Sequence, residues 1–314
     1  MTPRVSVIVP VRNGAVLLPG LIEALERQTL AQNEFEVLVS DDGSTDGGCD
    51  DLGSPAFPVR VLRGEPRTSY AARNRAASVA RGHVLAFTDS DCTPRPEWLE
   101  CGLAALADAD VAAGAVRFDV ADGIGIWGMA DIDTSLDQER AVANGTAATA
   151  NLFVRGETFR SLDGFDATLP SNGDHDFVRR ALDSGARLCF AASAVVVHPL
   201  RDDAREFLTK HWRVNRAWAV RRARDGRSVS AWGLLVPIYR PLCTRRSMGR
   251  SVRLERGRLG AHGVQPTVVQ DVAGLALIYG LLPACAAAAR FAGWREGFLQ
   301  HTRKQRDMIA EAKA

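Results

Sequence analysis

Val84-Leu-Ala-Phe-Thr-Asp-Ser-Asp91 is the stretch whose reading decides the fold. A short apolar run of strand character ends in two carboxylates at alternate positions, and Cys92-Thr-Pro94 then follows, which a continuing central strand would not tolerate. Carboxylates at the end of a buried strand cost free energy to desolvate unless a cation or a hydrogen-bonded polar ligand meets them there. Asp89 and Asp91 are therefore read as part of a site.

Working outward, Arg4 to Pro10 is another apolar run, closed by proline, and reads as a buried parallel strand. Val11-Arg-Asn-Gly14 is a turn, after which Leu17, Leu18, Leu21, Ile22 and Leu25 recur at helical spacing. Glu36 to Ser40 supplies a second strand ending in the polar, turn-rich Asp41-Asp-Gly-Ser-Thr-Asp46. Val59 to Arg63 makes a third strand, Ser69 to Arg81 a helix, and Val84 to Thr88 the fourth strand. Strands alternating with helices predict an α/β fold, a mostly parallel central sheet with right-handed crossovers. In such sheets ligands sit beyond the carboxyl ends of the strands, where Pro10 to Asn13, Asp41-Asp42 and Asp89 to Asp91 would converge. No GxGxxG or GxxxxGK[ST] loop is present, which argues against a dinucleotide or P-loop fold. Without a glycine cradle, a diphosphate would need a metal and an arginine. Asp91 offers an oxygen ligand to Mg²⁺ or Mn²⁺, and Arg73 or Arg75 the guanidinium fork.

Beyond a helix over 96–107 and a strand from Val111 to Phe118 the regularity is lost, and 122–148 resists assignment. Ala150 to Arg155 reads as a strand and Asp163-Gly-Phe-Asp166 as a turn. Ser171-Asn-Gly-Asp-His-Asp-Phe177 opens an amphipathic helix (Phe177, Val178, Ala181, Leu182) that Gly185 stops, which puts Asp174 or Asp176 at its N-terminus. Arg187 to Phe190 and Ala194 to His198 read as two strands. Asp46, Asp163 and Asp166 read as turn or cap residues, Asp41 as a strand-end cap and His175 as a surface residue. His198 is left open between a structural role and metal ligation.

These motifs, in order and spacing, resemble family 2 of the inverting glycosyltransferases: Val-Ile-Val-Pro-Val-Arg-Asn at 7–13, Asp-Asp-Gly-Ser-Thr-Asp at 41–46, Ala-Arg-Asn at 72–74, Asp-Ser-Asp at 89–91, Asp-Gly-Phe-Asp at 163–166 and Gly-Asp-His-Asp-Phe at 173–177. The resemblance covers residues 4 to about 200. It implies the GT-A fold, with a nucleotide-binding half (1–118) and an acceptor half (119–200) forming one catalytic domain. It also implies that Pro10, Arg12, Asn13, Asp42, Arg73, Asp89 and Ser90 bind a nucleotide-sugar, with Asp42 on a uracil ring and Arg73 on the diphosphate. Asp91, with His198, would hold a divalent Mn²⁺ or Mg²⁺, and Asp174 would be the general base, with Asp176 as the alternative. One departure stands out: relatives place Glu-Asp where this chain has Gly173-Asp174.

The remainder, 201–314, differs in kind. The net charge of +2 hides 16 Lys or Arg against 5 Asp or Glu over residues 201–260, a local +11 that leaves −9 elsewhere and points to an anionic partner. Asp203 to Arg224 reads as a helix with Phe207, Leu208, Val214 and Trp218 along one side and Arg213, Arg216, Arg221, Arg222 and Arg224 around it, a pattern that suits an anionic membrane surface. Trp232 to Arg240 adds an apolar wedge, Arg245 to Arg258 a polybasic segment, and Val272 to Ala289 an uncharged run at the lower limit for a spanning helix. Six scattered cysteines without CxxC or Cys/His spacing suggest neither zinc nor a disulfide framework, so a reducing compartment is expected. No secretory signal is read at the N-terminus. The expectation is a metal-dependent inverting enzyme that adds one sugar from a UDP-sugar to a lipid-linked saccharide or polysaccharide precursor at the cytoplasmic membrane face, with no nucleic-acid partner. The rivals are a nucleotidyltransferase acting on sugar phosphates, which would need the missing Gly-rich loop and lysine, and a degenerate membrane-bound scaffold of the same fold.

Overall fold

Every residue of β1 (Val5–Val11) is buried, so this strand has to be covered on both faces. The computed structural model describes residues 2–50, 52–120, 124–224, 259–262 and 281–311, and the chain divides into two units, 1–119 with 136–199 and 120–135 with 200–314.

In the first unit β1 is followed by α1 (Leu18–Glu26), β2 (Phe35–Asp41), β3 (Val59–Arg63), α2 (Ser69–Ala77), β4 (Val84–Thr88) and β5 (Thr93–Pro94). The eight-stranded sheet runs β3-β2-β1-β4-β7-β6-β8-β5, where β6 is Val111–Asp119, β7 Asn151–Arg155 and β8 Leu188–Pro199. Val5, Val7 and Val9 of β1 join Leu21, Leu25, Trp98 and Phe153 in one core, while Ile8 joins Phe87, Phe159, Phe165 and Phe177 in the other. The alternation of a pleated strand thus feeds two apolar layers.

Several details differ from the sequence reading. The pairs β1 with β2, β1 with β4 and β2 with β3 are parallel, but β7 lies antiparallel between β4 and β6. Thr93-Pro94 does not extend β4; it forms its own two-residue edge strand on β8, a position where the missing proline N–H costs nothing. The two strands expected over 187–198 are one, β8, parallel to β6: Gly114 pairs with Ala191 and Ala115 with Val195, so residues 192–194 bulge out. Helix α2 stops at Ala77 because Arg81 turns back to Glu36, donating its backbone N–H (2.7 Å) and its Nε (2.9 Å) to that buried carboxylate. The unassigned 122–148 contains two short helices, α4 (Ile126–Thr134) and α5 (Gln138–Ala143). Two further helices, α6 (Gly156–Ser161) and α7 (Gly173–Asp183), complete this unit, with α3 (Trp98–Ala105) following β5.

The second unit contains α4, α8 (Ala204–Arg224) and α9 (Leu282–Glu311). Its core holds Ala130, Phe207 and Leu282. Asp131 is fully buried and satisfied by Lys210 Nζ (2.8 Å), Arg201 Nη1 (3.4 Å) and Ser135 Oγ (2.6 Å). Trp218 lies between the guanidinium groups of Arg222 and Arg290, at 5.2 and 4.4 Å. Arg216 pairs with Glu296. Trp212 is 40% exposed, with exposed Arg213 beside it. Among the described residues no helix is long and apolar enough to cross a membrane; 232–240, 245–258 and 272–280 lie outside them.

Candidate active site

The loops after β1 and β2 are tied to each other. Asn13 takes a left-handed backbone (φ 56°), donates its N–H to Ser44 Oγ and accepts from Thr45 N–H at 3.0 Å. Asp41 caps its own strand by accepting from Ser44 N–H (2.8 Å). Exposed Asp46 accepts from Ala15 and Gly48 N–H, which holds its carboxyl below the usual range. Asp42 is buried and accepts from Arg67 N–H (3.0 Å). Pro10 is buried in β1 opposite Ser40, and Arg12 is exposed.

Of the two candidate arginines, Arg75 donates to Ser40 Oγ (3.0 Å) and the Asp41 carbonyl (2.6 Å), a strand-end role. Arg73, one turn of α2 beyond Tyr70, pairs with Asp89. Its Nε is buried without a hydrogen-bond partner, an expensive arrangement that an anionic ligand would relieve. Half-buried Ser90 sits in the turn that Cys92 N–H closes onto the Asp89 carbonyl (3.1 Å).

Asp91 Oδ2 lies 3.8 Å from Nε2 of buried His198. A carbonyl only accepts, so the 2.7 Å contact between His198 Nδ1 and the Pro199 oxygen places the proton on Nδ1 and turns the Nε2 lone pair toward Asp91. Ligand atoms of Asp91, Cys92 and His198 all lie within 4.8 Å of one another. Carboxylate oxygen and imidazole nitrogen suit Mn²⁺ or Mg²⁺, and the fixed tautomer is the one a metal-binding histidine needs. Burial, and then the charges of Asp89 and Asp91, push the Cys92 thiol well up, which keeps it protonated. The donor set therefore fits a divalent ion.

Asp174 and Asp176 stand in the first turn of α7 but face different neighbours. Asp174 Oδ1 accepts from Tyr70 Oη (3.1 Å) and His175 N–H (3.0 Å), and Oδ2 from Thr149 N–H (3.2 Å). Thr149 adjoins Ala150, whose carbonyl accepts from Thr88 Oγ1 at the end of β4, so Asp174 connects to the strand that carries Asp89 and Asp91. Asp176 pairs with Arg180 Nε (2.9 Å), whose other donors hold the Leu162 and Gly164 carbonyls. Asp166 accepts from Thr168 N–H and Oγ1, as a turn residue does. Tyr70 escaped the sequence reading. Its signal was its place three residues before Arg73, on the same helical face.

The family model for glycosyl transferase family 2 matches residues 6–153. A glycosyltransferase of Haloferax volcanii, AglE, is 34% identical over 221 residues, covering 68% of this chain and 72% of that protein. The chain belongs to glycosyl transferase family 2. A second member, the pre-mycofactocin glycosyltransferase of Mycobacterium tuberculosis, is 31% identical over 221 residues, and the chain spans 45% of its length. Among solved structures, the mannosyltransferase PcManGT of Pyrobaculum calidifontis, in complex with GDP-Man and Mn²⁺, superposes with a TM-score of 0.62 at 19% identity over 95% of this chain and 87% of that one. S. aureus TarS 1-349 in complex with UDP gives 0.52 at 19% identity, over 96% and 92%. The fold of this family member is accordingly GT-A, and its activity is glycosyl transfer.

Proposed function

We propose that the enzyme transfers one sugar, with inversion, from a UDP-sugar to a lipid-linked saccharide or polysaccharide precursor at the cytoplasmic membrane face, and that it requires Mn²⁺ or Mg²⁺. The observation that carries the catalytic part is the convergence of Asp91 with His198, Arg73 with Asp89, and Asp174 around the end of β4. Asp91 and His198 would hold the ion, which when bound supplies electrostatic stabilisation of the departing diphosphate. Arg73 adds a fixed positive charge and an unused N–H at the same place. Asp42 accepts from the uracil imide, while Pro10, Arg12, Asn13 and Ser90 line the nucleotide. Asp89 holds the ribose side.

Asp174 acts as general base. It accepts the proton of the acceptor hydroxyl as that oxygen bonds to the anomeric carbon and the bond to the diphosphate oxygen breaks. Asp176 is assigned a structural role because its partner Arg180 ties α7 to the 162–164 turn. The acceptor class and location rest on the +11 charge of 201–260 and on exposed Trp212 and Arg213.

Calorimetry and donor turnover test these roles. Asp91→Ala is expected to lose Mn²⁺-dependent binding of nucleotide-sugar, whereas Asp174→Asn keeps donor affinity and loses at least a hundredfold in turnover. Wild-type turnover by the second variant would move the base elsewhere.

A further inference from the structure

We propose that Tyr70 is a positioning residue that aims the Asp174 carboxylate, and that Gly173 leaves the space its ring occupies. The inference deepens the assignment of Asp174 as base and rests on it.

Tyr70 stands in the first turn of α2, the helix that also brings Arg73 to Asp89. It is 6% exposed, and its ring packs on Phe165 at 5.6 Å between centroids and beneath the Arg73 guanidinium at 5.6 Å. From that fixed ring the hydroxyl reaches Asp174 Oδ1 at 3.1 Å. Backbone N–H groups of Thr149 and His175 hold the same carboxylate, so Tyr70 is the side chain among its donors and the one supplied by α2. Burial, and then the charge of Asp174, push the phenol far above its ordinary value, so it stays an O–H donor at any working pH.

Gly173 supplies a second, independent observation. A Cβ at this position would lie 2.8 Å from Cδ2 and Cε2 of the Tyr70 ring, closer than side chains pack. A side chain at this position would therefore shift the ring, and the hydroxyl with it. Gly173 and the Tyr70 ring are thus fitted to each other. Helix α2 thereby couples the two ends of the reaction, with Arg73 at the diphosphate side and Tyr70 at the proton-accepting side.

The test uses the full-length protein with Mn²⁺ and UDP-glucose, UDP-N-acetylglucosamine and GDP-mannose, following release of nucleoside diphosphate as water accepts the sugar. Tyr70→Phe keeps the ring and removes only the donor. We expect donor Kd to stay within twofold and kcat to fall about tenfold, the equivalent of one hydrogen bond. A lowered kcat at unchanged donor Kd separates an effect on the base from a general loosening of the site, which would weaken donor binding as well. Gly173→Ala, which keeps the hydroxyl but crowds the ring, should lower kcat in the same direction without changing donor Kd. If Asp174→Asn is inactive while Tyr70→Phe keeps wild-type kcat, the positioning role is overturned and the base stands. If Asp174→Asn turns over normally, the base assignment fails and Tyr70 loses its role with it. If the wild-type protein binds and hydrolyses none of the three donors, the donor reading itself is wrong and the inference goes with it.

Discussion

His211 lies 4.3 Å from the Phe207 ring and 3.3 Å from Thr134 Oγ1, and burial, with Lys210 beside it, pushes its pKa down from 6.5 to about 4. A folded-state value below the unfolded one means that folding favours the neutral ring. The associated stability is fully present above pH 6.5 and is lost as pH falls from there toward 4. Between pH 7 and pH 5 the second unit should lose about 2 kcal/mol in urea unfolding, and His211→Gln should lack that component. Asp131 titrates in a lower window: although burial opposes its charge, Lys210, Ser135 and Arg201 hold its carboxyl below the usual value. Removing its partner by Lys210→Met leaves a buried, under-compensated carboxylate and should cost about 3 kcal/mol or more, read from the same denaturation curves.

At the scale of elements, Asn74 of α2 clamps the 163–166 turn by donating Nδ2 to the Phe165 carbonyl (2.7 Å) and accepting from Phe165 N–H (3.0 Å). Phe165 in turn packs on Phe87, Phe159 and Phe177, so this clamp seats α7 on the sheet. Asn74→Ala should cost about 2 kcal/mol, one amide pair with two buried backbone groups left unmet, and thermal unfolding measures it. The strands of the N-terminal half were legible because apolar runs that end close to Pro10, Asp41 and Asp89 leave few alternatives for where the strands stop, although β1 continues through Pro10 to Val11 and α2 ends at Ala77. What was not legible was pairing: nothing local in Asn151 to Arg155 says that this strand runs antiparallel between β4 and β6, since register and direction are settled by distant partners. The same limit applied at Asp174 and Asp176. Two carboxylates two residues apart look alike in sequence and are told apart by Thr149 and Tyr70 beside one and Arg180 beside the other. Nothing local at Gly173 shows that the Tyr70 ring, about a hundred residues earlier, occupies the space beside it.

At the scale of the molecule, the uneven charge means that the proposed surface attachment should depend on salt. The full chain should float with vesicles containing phosphatidylserine at low ionic strength and be released by 0.5 M salt; binding only to neutral vesicles, or none at low salt, would contradict the membrane reading. Ligand linkage gives a second global measure. UDP with Mn²⁺ at about a hundredfold over Kd should add about 2.7 kcal/mol, and a chelator should abolish the gain. The place of β7 in the sheet also has a consequence for how the chain is made. β1 to β4 can assemble from the first 88 residues, but the free edge of β4 gets its neighbour only when residues 151–155 have left the ribosome. Until then the growing chain carries an apolar strand with unpaired backbone groups, the kind of edge that invites association with other chains. The strand that leads into Asp89 and Asp91 is therefore the open edge of the sheet until its partner has been made.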